Sequence, residues 1–417
     1  MSPLSRMMLA RRRKKRSRKV RFELGLIGVL ALVFALLFSI MVHEYGHYIT
    51  AKRYGMRVTE FFLGFGRRIW STKRGETEFG IKAIPAGGYC KISGMSSREE
   101  LEPEVAHRAF YRARTREKLV VLGSGSILHF ILGFLFLFIL FTGVGVVKSL
   151  PIIQEVLPCV PTKTQCAPND PVSPAKKAGL LAGDEIIGIN GARDLDWSEI
   201  SPVLRSSAGK PISLLILREG SEITVDLVAA SRTIDGDTRG YIGIVNKYGL
   251  VRENPISAIA SSTQATGQLF AGSIKALIGL PQQIPSLVRQ TFLGEERNSD
   301  GLVGIVGVAR ATGETASSSN LTTGEKVATF LLIIASLNIF VGIFNLIPIL
   351  PLDGGHIAVA LYEGLRRQIY RLRGRAEPGK VDVEKLTPIT AVVLAALVFL
   401  TVLLLIADLF NPINLNL

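Results

Sequence analysis

The stretch LGLIGVLALVFALLFSIMVHEYGH, Leu24 to His47, decides the architecture of this chain. Residues 24–42 carry no charge, and about 20 helical residues suffice to cross the hydrocarbon core of a bilayer. A secretory signal peptide fits poorly, because the run is long and no small-residue cleavage site follows it. Three further apolar runs lie at 119–147, 328–350 and 387–408. Four together predict a polytopic α-helical membrane protein with about four transmembrane helices, not buried helices of a soluble domain.

The first run ends in His43-Glu44-Tyr45-Gly46-His47, an H-E-x-x-H pattern. Residues four apart on a helix share a face, so both imidazoles can reach one metal ion. Glu44 then projects near the same point and can take a proton from bound water. Nitrogen and carboxylate donors with one open position suit catalytic Zn2+. Ionisable groups at membrane depth are costly and usually functional. The bland alternative is a pair of interfacial histidines with a solvated glutamate.

Two histidines leave zinc one protein ligand short. His107, His129, His356, the cysteines and a buried carboxylate are the candidates. Asp353 is favoured, because it closes an otherwise uncharged run from Val327 to Leu352. Pro348 and Pro351 forbid regular helix there, and broken backbone at membrane depth is tolerated only beside a cavity or protein packing. The competing role for Asp353 is N-cap of the following helix.

A net charge of +15 raises nucleic acid as a partner, but the distribution speaks against it. Ten Lys/Arg fall within 1–22, fifteen within 51–118 and seven within 356–386, all beside apolar runs. Such flanks hold loops in the cytoplasm and touch membrane lipids. Loops 51–118 and 356–386 are therefore expected to be cytoplasmic, with 150–247 and both termini outside. The basic first 22 residues conflict with that. A retained tail, an inverted first span or a true translation start near Met8 or Val20 would resolve it, and the last is favoured.

The domain reading is a basic, disordered tail at 1–22; a first transmembrane helix at 23–55; a β-hairpin region and charged loop at 56–118; a second helix at 119–149; a small α+β domain at 150–247; a linker with amphipathic helices at 248–327; a third segment at 328–355; a loop at 356–386; and a fourth helix at 387–410. In the hairpin region, Gly64-Phe65-Gly66 and Gly87-Gly88 are expected to supply the turns. In the α+β domain, strands are expected at 212–217, 223–228 and 241–245 and a helix at 197–206. Cys159 and Cys166 either form a disulfide, if extracytoplasmic, or remain two thiols.

Taken in order, HEYGH, the F-x-G-F-G and IPAGGYCKISGM segments and NLIPILPLDGG at 345–355 resemble the site-2 protease family, in particular the bacterial intramembrane zinc metalloproteases that regulate the envelope stress response. The likeness covers about 24–408. It implies that His43, His47 and Asp353 ligate zinc, that Glu44 is the general base, and that Asn345 orients substrate or steadies the oxyanion. It also implies a membrane-associated hairpin, with Gly87 and Gly88, that presents substrate, and it likens 178–191 to the core of an extracytoplasmic PDZ domain. The family's G-P-x-x-N-F motif here reads Gly125-Ser-Ile-Leu-His129-Phe130, so His129 is either an oxyanion donor or a packing residue. The implied activity is regulated intramembrane proteolysis in the bacterial inner membrane, on single-pass proteins such as an anti-sigma factor or signal-peptide remnants. The rival readings are an inactive PDZ-containing adaptor and a zinc transporter or sensor.

Overall fold

The structure is a computed structural model that describes residues 3–95, 99, 101–161, 166–234, 237–297, 301–376, 379, 381 and 383–413. Helix α1 (Pro3–Arg53) runs unbroken through the first apolar stretch and the H-E-x-x-H pattern. It begins within the tail that the sequence reading takes as disordered. Leu, Met, Lys and Arg are good helix formers, and a stable span downstream removes the cost of nucleating the extra turns.

Strands β1 (Val58–Arg74) and β2 (Thr77–Ile92) form the expected hairpin region. Both strands fold back on themselves, so residues of β1 are paired twice. Phe61 has Cys90 and Phe79 as partners, Phe62 has Tyr89 and Gly80, and Leu63 has Gly88 and Ile81. Gly64, Gly66 and Gly87 have positive φ and bend the strands, whereas the chain reverses at Gly75-Glu76. The expected turns are therefore bends, and the reversal lies between them. A short helix α2 (Pro103–Ala106) leads to α3 (Thr115–Ile139), whose end widens into a π turn at Leu140–Val144. The second span thus stops short of the expected 147, and a strand starts at Val146.

Gly145–Arg252 is a compact unit of its own. It contains β3 (Val146–Val156), α4 (Pro174–Lys177), β4 (Glu185–Ile189), β5 (Ala192–Arg193), α5 (Trp197–Ser206), β6 (Pro211–Arg218), β7 (Ser221–Val228), β8 (Ala230–Ile234), β9 (Asp237–Tyr241) and β10 (Ile244–Val251). Its main sheet has the order β10-β3-β4-β6-β7, with β5 paired to β4. Ile212, Leu214 and Ile216 alternate inward along β6 and pack with Ile186, Ile189 and Ile200. Asn190-Gly191, both with positive φ, make the two-residue β4–β5 turn. The strand expected at 241–245 is instead divided between β9 and β10. Gly243 has φ +88° and lies so close to Ser173 that a Cβ would sit 2.4 Å from the serine Cβ. Cys159 and Cys166 form the disulfide that the sequence left open.

The chain then returns to the helical unit with α6 (Pro255–Phe292), α7 (Ile305–Ser317), α8 (Thr323–Asn345), α9 (Asp353–Leu372) and α10 (Thr387–Phe410). Among the described residues, four segments, Lys19–Arg53, Thr115–Val144, Thr323–Asn345 and Thr387–Phe410, are long and apolar enough to cross a membrane. Where the sequence suggested a linker, α6 is one long helix packed against α3, α8 and α10.

Glu76, at the hairpin turn, ties this region to the end of α1. Its carboxylate accepts from Arg108 Nη1 and Nη2 at 2.7 Å each and from Lys52 Nζ. The Arg108 bonds, followed in size by an opposing burial effect and then by the Lys52 bond, leave the Glu76 carboxyl at about 2 instead of 4.5. A depressed carboxyl stabilises fully above its unfolded pKa and loses that contribution as pH falls through the folded value. Glu76→Gln is therefore expected to melt below the wild type at neutral pH, with the two midpoints converging as pH falls from 4.5 towards 2. Thermal unfolding of the full chain in detergent across that range checks this, and a gap independent of pH contradicts it.

Candidate metal centre

His43 and His47 lie one turn apart on α1, and their Nε2 atoms are 3.1 Å from each other. Asp353 Oδ2 is 3.2 Å from His43 Nε2 and 3.4 Å from His47 Nε2. Both imidazoles are nearly buried, and among the described residues these three side chains form the one His/Cys/Asp/Glu group suited to a metal ion. Ligands at 2.0–2.1 Å from a tetrahedral ion are separated by roughly 3.3 Å. The three separations match that value. With their Nε2 atoms deprotonated, the two imidazoles and the carboxylate direct three donors at one point of a buried site, so the donor set fits a zinc-like ion.

Neighbouring elements shape the surroundings of the trio. His47 Nδ1 donates to the Val121 carbonyl at 2.8 Å, which fixes the proton there and leaves Nε2 free to coordinate. Gly125, one turn further along α3, makes room for His43: a Cβ there would lie 2.5 Å from His43 Cε1 and 2.7 Å from Nε2. His129 follows one turn later, with its ring centre 5.0 Å from that of His43. Positions 121, 125 and 129 share one face of α3, and that face is the back wall of the site.

Asp353 arrives by a different route. α8 ends at Asn345, the chain turns through Pro348 and Pro351, and Asp353 is the first residue of α9. The cap position belongs to Leu352 and no side chain caps this helix, so the N-cap role does not hold for Asp353. Gly354 and Gly355 let the turn fold tightly over the helix start; a Cβ on Gly354 would lie 2.3 Å from the Leu346 carbonyl. Further along α9, Glu363 Oε2 accepts from Lys118 Nζ of α3 at 2.8 Å, and both side chains are largely buried. α3 therefore braces the helix that carries Asp353 as well as the two histidines.

Glu44 stands outside the trio, beside β2. The Cys90 backbone is its hydrogen-bonding neighbour, and a Cβ on Gly88 would lie 3.3 Å from Glu44 Cγ and 3.1 Å from Met41 Sδ. Gly88 thus lets the strand run against α1 at the glutamate. Gly87, with φ +151°, packs instead under the Phe65 ring.

His129 is not a member of the trio. Its Nδ1 is 2.9 Å from Asn338 Oδ1, while Asn338 Nδ2 donates to the Ile334 carbonyl at 2.9 Å. The amide nitrogen being used, Oδ1 accepts and His129 donates from Nδ1. With Nδ1 engaged by Asn338, the His129 ring stands beside His43 with Nε2 outside that bond. Asn345 closes α8 half-buried, with no hydrogen bond to the trio among the described residues. His107 and His356, the other histidines weighed as ligands, also stand outside it. Sequence reading missed Val121, Asn338 and the Lys118–Glu363 pair, and quoted Gly125 only as part of a motif, without its place beside His43; for the Lys118–Glu363 pair, charges beside apolar surroundings carried a signal.

The family model for peptidase family M50 matches residues 31–377, a span that contains all three metal-facing residues and Glu44. This chain belongs to peptidase family M50. Two similar proteins are the zinc metalloprotease Rip1 of Mycolicibacterium smegmatis, 35% identical over 93% of this chain and 98% of its own, and Rip1 of Mycobacterium tuberculosis H37Rv, 34% identical over the same shares. The regulator of sigma-E protease RseP of Escherichia coli K12 is 25% identical over 81% of this chain and 90% of its own. Family membership thus agrees with the H-E-x-x-H pattern and the carboxylate facing it.

Losses of groups that orient metal ligands typically cost about 10- to 100-fold in affinity. Gly125→Ala is expected to weaken metal binding by about that factor, with helix content unchanged. Competition against a chromogenic chelator measures it, and wild-type affinity would refute the role given to Gly125.

Proposed function

We propose that the chain is a zinc metalloendopeptidase of the site-2 type that hydrolyses peptide bonds within transmembrane segments of single-pass membrane proteins. The observation that carries this reading is the convergence of His43, His47 and Asp353 at the end of a membrane-length helix, with Glu44 adjacent. Two relatives are named zinc metalloproteases, and the donor set here suits the same ion.

Bound zinc supplies the Lewis acidity that makes water nucleophilic near neutral pH. Glu44 accepts the proton of the attacking water and returns it to the leaving amine nitrogen. His47 keeps its Nδ1 proton on Val121 throughout, so its coordinating nitrogen does not change role. The helix of a substrate must open locally before its amide can be attacked, because intact helical hydrogen bonds bury the scissile group. The curled β1–β2 sheet, passing Glu44 at Gly88, is suited to hold the opened strand by backbone pairing.

The setting we infer is regulated intramembrane proteolysis in a bacterial inner membrane, with an anti-sigma factor or a signal-peptide remnant as substrate. The relatives named regulators of sigma-E support the first. Basic loops at 51–118 and 356–386 favour a centre towards the cytoplasm. The Gly145–Arg252 unit, with its antiparallel sheet and α5, is read as a PDZ-like domain on the other side that sizes or gates substrates. Surrounding membrane lipids complete the partners; no role for nucleic acid is inferred. Retention of all three ligands and Glu44 argues against an inactive adaptor, and clustering of the polar groups at one point argues against a transport pathway.

Glu44→Gln is expected to keep zinc and to lower cleavage of a reconstituted transmembrane peptide by about 10²- to 10⁴-fold. Asp353→Ala is expected to lose both metal and activity. Metal content by mass spectrometry and cleavage by gel report on the two variants, and undiminished cleavage by Glu44→Gln would overturn the assignment.

A further inference from the structure

α9 leaves one of its faces uncovered. Leu361, Leu365, Ile369 and Leu372 recur every three or four residues and are 51%, 59%, 36% and 80% exposed. This apolar stripe lies on a helix between two membrane-length helices. Arg366, Arg367, Arg371, Arg373 and Arg375 accompany it, and the acidic Glu363 is already paired with Lys118. An apolar stripe with arginines beside it suits the boundary between acyl chains and headgroups.

Beside the stripe, a cavity of about 410 Å³ separates α9 from the start of α10. Ile349, Leu350, Val359, Leu386 and Ile389 give it apolar walls, and Tyr362 lines it from α9. The Arg366 guanidinium stands 5.8 Å from the centre of the Tyr362 ring. One arm of that guanidinium donates to the Gly379 carbonyl, whereas its buried Nε–H has no acceptor among the described residues. A buried charged donor left without a partner is costly, and oxyanions are its strongest acceptors.

We propose that this slot binds one anionic phospholipid. The acyl chain lies against Ile349, Leu350, Val359 and Ile389, and a phosphate oxygen accepts from Arg366 Nε. The charged donor at Arg366 selects lipids with an anionic headgroup. Inorganic phosphate would satisfy only the arginine, and an apolar peptide only the walls. The proposal rests on α8 and α10 being membrane spans and not on the peptidase reaction, so its failure would leave the assignment of the metal centre untouched.

Native mass spectrometry of the delipidated full chain in detergent tests this with three probes: phosphatidylglycerol, phosphatidylcholine and soluble glycerol phosphate. Phosphatidylglycerol is expected to bind about tenfold more tightly than phosphatidylcholine, and glycerol phosphate not to saturate. Arg366→Gln should reduce the affinity for phosphatidylglycerol to that for phosphatidylcholine. Val359→Phe and Ile389→Phe, which fill the slot, should remove saturable binding of both lipids while circular dichroism stays native. Equal affinities for the two lipids in the wild type, tight binding of glycerol phosphate, an unchanged Arg366→Gln or normal binding by both slot-filling variants would each overturn the proposal. Should a variant fail to fold, the comparison of the three probes on the wild type decides by itself.

Discussion

The structure depends on holding two imidazole nitrogens and a carboxylate within 3.1–3.4 Å of one another in a nearly buried setting. Burial raises the cost of gathering such polar groups, so the arrangement has to be enforced by its surroundings. Much of the helical unit can be understood as the framework that enforces it. α3 is central to that framework. From one face it offers a carbonyl to His47, a side-chain-free position to His43 and a packing ring at His129, and from its first turn a lysine that holds α9. Its helical period aligns these groups, since 118, 121, 125 and 129 are separated by three or four residues.

Asp353, the third member of the trio, illustrates how a break can be as useful as a helix. A continuous helix through 346–352 would have carried Asp353 onwards along the α8 axis. The two prolines deny the backbone its helical bonds, and the following glycines allow the chain to fold back closely enough to start a new helix at the aspartate. Placing the ligand in the first turn of a helix fixes its direction more firmly than a loop would. On the opposite flank, the β1–β2 region approaches Glu44 at a glycine, so the strand and the Glu44 carboxylate share one wall.

Much of this was legible beforehand. Apolar run length located the four membrane-length helices, because the bilayer imposes a length that few soluble helices meet. The His43–His47 spacing announced a shared face, and the uncharged run ending at Asp353 singled out that carboxylate. Local reading failed where partners were distant. The charge of the N-terminal tail masks its helix propensity, and the hairpin reversal at Gly75-Glu76 is hidden among glycines that bend the strands instead. The strand expected over 241–245 is interrupted by the approach of Gly243 to Ser173, a contact that no local pattern encodes.

By itself, then, the sequence determined the membrane-length helices found among the described residues, the face that His43 and His47 share on the first and the break that frees Asp353, because each follows from period, length or backbone chemistry within one segment. Only the tertiary structure decided that α3 would be the common support, that His129 would be turned to Asn338, and that Glu44 would stand against β2. Those outcomes depend on which helices touch and in what rotation. That is set by packing between segments far apart in the chain, through small residues such as Gly125 whose meaning appears only when the neighbouring ring is in place.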